Sequence, residues 1–174
     1  DNVIKKILDK DKKEKILFIK DKNEILSKKL FERFKKNIPF KTDQITFLDQ
    51  LSHEDYINRC GNSSVLLDPL YFGSGNSFHE SMFYGTPTVT LPTNNLKSRI
   101  VFGAYKQMQI IEPPVVKSID EYVDKALEIA NRDKKTMYDN KIFYSKCADK
   151  HLYENQKFIL EFEKILENLY LKNI

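Results

Sequence analysis

The sequence reads VLLDPLYFGSGNSFHE at residues 65–80 and GTPTVTLP at residues 85–92. The run Val65-Leu66-Leu67 is short, apolar and bounded by polar turn residues, which is typical of a strand buried on both faces of a parallel sheet. A glycine-containing loop, a helix and a second apolar strand follow it. Open α/β sheets bind ligands in loops at the carboxyl ends of their strands. This order predicts an α/β fold with a ligand site in loop 68–76.

The glycine loop is a candidate anion site. Three of the five glycines lie between residues 73 and 85. A helix that begins near Asn76 would direct the N–H groups of Gly75, Asn76 and Ser77 outward at the positive end of its dipole, where a diphosphate fits. Glu80, one turn further on, would accept hydrogen bonds from a ribose. The spacing alone is equally typical of a capped helix whose glutamate interacts only with the helix dipole.

The rest of the chain alternates between strands and helices. Strands are predicted at residues 16–19, 45–48, 64–68, 88–91 and 109–111. Helices are predicted at residues 3–8, 25–34, 53–60, 76–84 and 97–106. Repeated βα units at this spacing predict a doubly wound, Rossmann-like parallel sheet with further helices at the C-terminal end.

Two apolar stripes mark the helical last third. Ser118 and Glu121 form a capping box before the first helix, predicted to continue to about residue 130. The stripe of the terminal helix consists of Phe158, Phe162, Ile165 and Leu169. Helical spacing of this kind predicts core packing for both stripes. Part of the terminal stripe would be exposed if the helix belongs beside a second lobe.

Six short motifs follow one another through the glycine region. They are Leu67-Asp68, Gly75-Asn76-Ser77, Glu80, Gly85-Thr86-Pro87, Val89-Thr90-Leu91-Pro92 and Ser98-Arg99. In this order and at this spacing they resemble the C-terminal nucleotide-sugar-binding lobe of GT-B glycosyltransferases, in particular the O-GlcNAc transferase and SPINDLY-like family. The resemblance implies that the glycine loop binds the diphosphate of a UDP-sugar, such as UDP-GlcNAc, and that Glu80 binds its ribose.

The resemblance extends upstream to a predicted helix that brings side chains to the uracil in that family. Tyr56 stands where the family places a stacking His or Tyr, His53 where it often has a Lys, and Arg59 where a basic residue is common. A ring offers a stacking face, and a cation suits a carbonyl or a phosphate. The structural alternative is a capping box of Ser52 and Asp55, with Tyr56 opening the buried face of the helix.

The sequence departs from the family pattern at several positions. Asn76-Ser77 replaces a usual Thr-Thr pair and keeps its hydrogen-bonding capacity. Gly75 stands where some members have a His, so a diphosphate contact from that side chain is lost. Glu80 replaces an Asp found in several members. Thr93-Asn94 follows Pro92 at a place where many members have Gly.

The resemblance covers about residues 15–172 and corresponds to one lobe of a two-lobed enzyme. It implies that residues 1–174 are a single nucleotide-sugar-binding domain, a fragment whose N-terminal lobe is missing. The whole protein would be a hexosyltransferase that moves GlcNAc or another hexose to a hydroxyl, with protein as the expected acceptor and no cofactor. The family's essential Lys and nearby Gln lie upstream, so the catalytic residues are unknown. A non-catalytic nucleotide-binding or partner-docking module and a GT-B epimerase are the alternatives.

Composition narrows the classes of binding partner that we expect for this chain. The formal net charge is +4, and residues 1–41 hold 14 basic and 7 acidic residues. Acidic residues interrupt the cluster of lysines at residues 5–15, and no aromatic residue is interleaved with it, so we expect a solvated helix and no nucleic-acid partner. Cys60 and Cys147 match no metal spacing, and no signal peptide or membrane span is evident. These features, with abundant Lys, Asn and Ile, predict a bacterial cytoplasmic protein without a metal.

Overall fold

An α/β arrangement is observed in the computed structural model, which describes residues 1–38, 44–153 and 156–172. The strands are β1 (Ile16–Ile19), β2 (Ile45–Leu48), β3 (Leu66–Leu67) and β4 (Thr88–Val89). The helices are α1 (Asn2–Lys10), α2 (Ile25–Asn37), α3 (His53–Asn62), α4 (Asn76–Ser81), α5 (Ile100–Gln107), α6 (Ile119–Ala130), α7 (Lys134–His151) and α8 (Gln156–Leu171). A short 3-10 helix, Leu96–Ser98, precedes α5.

The strands pair in parallel, as predicted. Strand β1 pairs with β2, and β3 pairs with β4. Among the described residues these are two separate two-stranded ladders, so the α/β class is confirmed while one continuous doubly wound sheet is not. Beyond β4, Thr90 forms a parallel bridge with Val115.

The predicted fifth strand at residues 109–111 is wrong. Gln109 has a φ of 58°, and the Ile110 N–H donates to the Tyr105 carbonyl at 3.2 Å. This is the Schellman pattern that closes a helix through a left-handed residue, so these residues cap α5. The strand-like partner of Thr90 comes only after Pro113 and Pro114, since proline cannot donate to a ladder.

The predicted helix starts follow from local capping. Ser52 Oγ accepts from the Asp55 N–H at 3.1 Å, and Ser118 Oγ accepts from the Glu121 N–H at 3.1 Å. Each cap satisfies one of the N–H groups that the first helical turn leaves without a partner. Both serine caps are therefore confirmed. The acids make other contacts, because Asp55 accepts from the Ser52 hydroxyl at 2.7 Å and Glu121 accepts from the Lys117 N–H at 2.9 Å.

Two apolar clusters form the core. The first packs α1, α2 and α6 against the strands and includes Leu8, Phe34 and Val89. The second joins α4, α5 and α7 around Phe78 and Tyr105. At the surface, two lysines of the basic N-terminal segment pair with carboxylates of α6: Lys6 with Asp120 and Lys10 with Asp124.

The two C-terminal stripes behave differently. Three residues of the predicted α6 stripe, Tyr122, Val123 and Ala126, are in the core as expected. Ile129, which was not part of the predicted stripe, is buried beside them. Every described residue of α8 is exposed, so the core packing predicted for its stripe is not found. Phe158 and Phe162 stack on one another with ring centroids 6.4 Å apart. Within the described ranges, no helix is long and apolar enough to cross a membrane.

Candidate functional site

Helix α3 carries three of the predicted site residues. His53, Tyr56 and Arg59 are spaced three residues apart, which places them on one side of the helix. Tyr56 is half-buried, whereas His53 and Arg59 are exposed. Two of the three, Tyr56 and Arg59, line a cleft of about 1240 Å³ that opens between the β1–β2 and β3–β4 ladders.

The Tyr56 hydroxyl points toward α4. It lies beside the Ser77 side chain of α4 and the Cys60 thiol, which is one turn further along α3. Burial is the main cause that raises the pKa of Tyr56 to about 12; the Cys60 thiol raises it further, whereas the Ser77 side chain lowers it. Burial also raises the pKa of the Cys60 thiol, so both groups are protonated at neutral pH. The protonated phenol therefore lies between the α3 face and the first turn of α4.

Glu80 lies on the same side of this junction. Its Oε1 is 4.0 Å from His53 Nε2, and its negative charge contributes to the raised pKa values of Tyr56 and Cys60. The structure thus brings together His53, Tyr56, Ser77 and Glu80 from two helices. Asn76 is exposed at the start of α4, and Arg59 is exposed one turn along α3 from Tyr56.

The first turn of α4 offers N–H groups. The Gly75 carbonyl accepts from the N–H of Phe78 at 3.0 Å, which starts the helix. The N–H groups of Asn76 and Ser77 lie in the turn where a helix supplies no acceptor of its own. A Cβ added at Gly75 would meet nothing within 4 Å. The space beside the Gly75 backbone is therefore open, as a ligand in close contact with it would require.

Gly73 has a different role from Gly75. Its N–H donates to the Lys97 carbonyl at 2.8 Å, and an added Cβ would lie 3.1 Å from that carbonyl oxygen and 3.2 Å from the Asp68 carboxylate. Gly73 lets the loop pack closely on the segment before α5. Of the two glycines that flank Ser74, Gly73 therefore allows close packing, whereas Gly75 borders open space.

Asp68 organises the glycine loop, a role that was not predicted. Its Oδ1 accepts from the Ser74 N–H at 2.6 Å, and its Oδ2 accepts from Thr90 Oγ1 at 2.6 Å. Its carbonyl accepts from the Tyr122 hydroxyl at 3.0 Å. The side chain is buried, and burial raises the pKa of Asp68. One residue thereby fixes the loop to β4 and α6. The available signal was an acid placed directly after a short apolar strand, which is half-buried in the structure.

Lys141 of α7 contacts the C-terminal end of α3. Its Nζ donates to the carbonyls of Gly61 at 2.6 Å and Ser63 at 2.7 Å. These carbonyls lie at the C-terminal end of α3, where a cation also complements the helix dipole. Burial lowers the pKa of Lys141. No local sequence signal indicates this contact, because the partners are about 80 residues apart.

We expect Lys141→Met to lower the free energy of unfolding by about 1–3 kcal/mol, because two partly buried carbonyls lose a charged donor. Urea unfolding followed by circular dichroism measures the change. Lys146→Met, on the exposed side of the same helix, is the matched control and should unfold like the wild type. Equal midpoints for the two variants would show that the two hydrogen bonds contribute nothing.

The fold can be compared with known proteins. No protein-family profile and no curated protein sequence matches this chain. A solved structure of a mutant O-GlcNAc transferase from Thermobaculum terrenum matches 97% of this chain with a TM-score of 0.82 and 19% sequence identity. This chain has an O-GlcNAc transferase-like GT-B lobe fold. The resemblance inferred from the motifs is confirmed.

The match covers 32% of the Thermobaculum terrenum chain, so this chain spans about a third of that protein's length. In the O-GlcNAc transferase-like fold, loop 68–76 follows the carboxyl end of β3, as the sequence predicts. Among the described residues, no group of three or more His, Cys, Asp or Glu side chains is arranged to hold a metal ion.

Proposed function

We propose that this chain is the UDP-sugar-binding lobe of a glycosyltransferase that moves GlcNAc or another hexose to a hydroxyl acceptor on protein. The observation that carries the proposal is the convergence of Tyr56, Ser77 and Glu80 beside the open backbone of Gly75. Three of these four positions, Gly75, Ser77 and Glu80, belong to the motifs that carry the resemblance, and the fold is that of an O-GlcNAc transferase lobe. In the whole protein, an N-terminal lobe would supply the other wall of the active-site cleft.

Each part of UDP has a candidate partner. The ring of Tyr56 would stack on the uracil, with His53 and Arg59 on the same helix face as hydrogen-bond donors to the base or a phosphate. The Glu80 carboxylate would accept from the ribose hydroxyls. The N–H groups of Asn76 and Ser77 would face the diphosphate, with the Asn76 amide and the Ser77 hydroxyl beside them.

The chemistry expected of this lobe is stabilisation of the leaving group. As the bond from the anomeric carbon to the β-phosphate breaks, negative charge grows on the diphosphate oxygens. Helix N–H groups and hydroxyls that are already oriented stabilise that charge without reorganising. Asp68 holds the loop in place through Ser74, so it is a positioning residue in this scheme.

Glu80→Ala should weaken UDP binding by roughly tenfold or more, because each charge-assisted hydrogen bond contributes about 1.5–3 kcal/mol before solvent competition. Tyr56→Ala should weaken UDP but leave inorganic pyrophosphate nearly unchanged, since pyrophosphate has no base to stack. Isothermal titration calorimetry of both ligands on both variants measures this, and Glu112→Ala, an exposed glutamate on another segment, is the control.

Tyr56→Phe separates the ring from the hydroxyl. It keeps the stacking face and removes only the hydroxyl beside Ser77, so UDP affinity should fall less than in Tyr56→Ala. Undiminished UDP binding by Glu80→Ala would remove the ribose assignment. Equal losses for UDP and pyrophosphate in Tyr56→Ala would remove Tyr56 from the base site, and a wild type that binds neither ligand would overturn the proposed function.

A further inference from the structure

A basic aromatic surface lies next to the glycine loop. We define the basic aromatic patch by three rings and three cations: Tyr71, Phe72, Phe102, Lys97, Arg99 and Lys106. Tyr71 is 88% exposed and Phe72 is 65% exposed. Leu96, beside Lys97, is 81% exposed. These large apolar side chains stand on two segments joined by the hydrogen bond from the Gly73 N–H to the Lys97 carbonyl, and exposure of this kind is typical of an interaction surface.

The charge of the patch is uncompensated. Between Asp68 and Glu112 the sequence contains one carboxylate, Glu80. In the part of the chain that the structure describes, none of the three patch cations takes part in an ion pair. This contrasts with Lys6 and Lys10 of α1, which pair with carboxylates of α6. The patch is therefore positive and available to an acidic partner.

The cations of the patch lie over its own rings. Lys97 Nζ is 5.7 Å from the centroid of Phe72, and Lys106 Nζ is 4.5 Å from that of Phe102. Arg99 Cζ is 5.2 Å from the same Phe102 ring. These distances are within the range of cation–π contacts. The charged heads remain exposed, whereas two of the three rings have cations over them.

The patch is held in place by the backbone. The Gly73 N–H donates to the Lys97 carbonyl, which fixes Phe72 and Lys97 on neighbouring segments. The Arg99 Nη1 donates to the Thr93 carbonyl at 3.0 Å, and Ser98 Oγ accepts from the Thr93 N–H at 3.0 Å. A surface ordered before binding loses less conformational entropy when a partner arrives.

We infer that the basic aromatic patch is a docking surface for an acidic polypeptide segment that also carries apolar side chains. Carboxylates of the segment would pair with the three cations, and its apolar side chains would cover Tyr71, Phe72 and Leu96. Single-stranded nucleic acid fits less well, because bases stack on ring faces and the Phe72 and Phe102 rings have cations over them. The inference goes beyond the proposed function, since such binding needs no UDP.

Fluorescence anisotropy with labelled peptides tests the inference. The probe is a fluorescein-labelled peptide of repeating Glu, Leu and Ser, compared with the same peptide carrying Lys in place of Glu and with single-stranded oligothymidylate of equal length. We expect the wild-type chain to bind the acidic peptide, to bind the lysine peptide at least roughly tenfold more weakly, and to lose acidic-peptide affinity as salt rises.

Paired charge reversals locate the surface. Lys97→Glu with Lys106→Glu should weaken acidic-peptide binding by roughly tenfold or more, whereas Lys134→Glu with Lys146→Glu on α7 changes the net charge equally and should have little effect. Thermal unfolding of both variants checks that each is folded. Equal losses in the two variants, or tighter binding of the oligonucleotide, would overturn the inference. UDP titrations on the same samples report separately on the proposed function.

Discussion

Replacing Gly85 by Ala is expected to lower the free energy of unfolding by more than about 4 kcal/mol. Gly85 has a φ of 64°, a left-handed conformation that disfavours residues with a Cβ. An added Cβ would also lie 1.9 Å from the Lys141 carbonyl oxygen and 2.7 Å from the Ser145 nitrogen. Both atoms are backbone of α7, so the clash is relieved only if the helix moves away from the turn before β4.

Gly103→Ala is the matched control for this substitution. An added Cβ at Gly103 meets nothing within 4 Å, and the residue lies inside α5. Alanine is the better helix former, so Gly103→Ala should stabilise by about 0.5–1 kcal/mol. Urea denaturation of both variants gives the comparison. A Gly85→Ala variant with the wild-type midpoint would show that α7 does not pack on this turn as described.

The second large effect is expected at Asp68. Asp68→Ala leaves the Thr90 hydroxyl and the Ser74 N–H without their acceptor, and should lower the free energy of unfolding by about 2–5 kcal/mol at neutral pH. Asp68→Asn should retain both contacts. Its Oδ1 can accept from Ser74, and its Nδ2 can donate to the Thr90 hydroxyl, which rotates to accept.

The comparison of Asp68→Asn with the wild type depends on pH. Because burial raises the pKa of Asp68 in the folded state, the folded protein binds this proton more tightly than the unfolded chain does. The associated stabilisation is complete below the ordinary Asp pKa of about 3.9 and is lost as the pH rises through the higher folded value. The stability of Asp68→Asn relative to the wild type should therefore increase over this window and then level off. Urea unfolding across the acidic range measures it, and a relative stability that falls with pH contradicts it.

Local patterns were sufficient to predict most of the helices, whereas no bounds were predicted for α7. The start of α3 and the start of α6 follow from a serine followed three residues later by an acid, and the α6 core face follows from its apolar spacing. The segment at residues 109–111 was misread because its two isoleucines suggest a strand, while the left-handed Gln109 that closes α5 has no distinctive signature. Glycine is the usual residue at such a position.

The candidate site was predicted only in part, because local sequence patterns identify some of its residues and not those whose partners are distant in the chain. His53, Tyr56, Ser77 and Glu80 were found through motif spacing, and the structure places them together, although their ligand contacts remain predictions. The roles of Asp68 and Lys141 depend on partners far away in the sequence, Tyr122 for the first and Gly61 for the second. Only the assembled fold brings those groups within hydrogen-bonding distance.

The exposure of helix α8 has a consequence for local unfolding of the protein. A helix of 16 residues is near the limit of stability in water when tertiary packing does not support it. With every described side chain exposed, α8 would open in a local fluctuation far smaller than global unfolding. Its amides would then exchange with solvent long before those of α5 and α6. In the native ensemble this helix forms a separate cooperative unit of low stability.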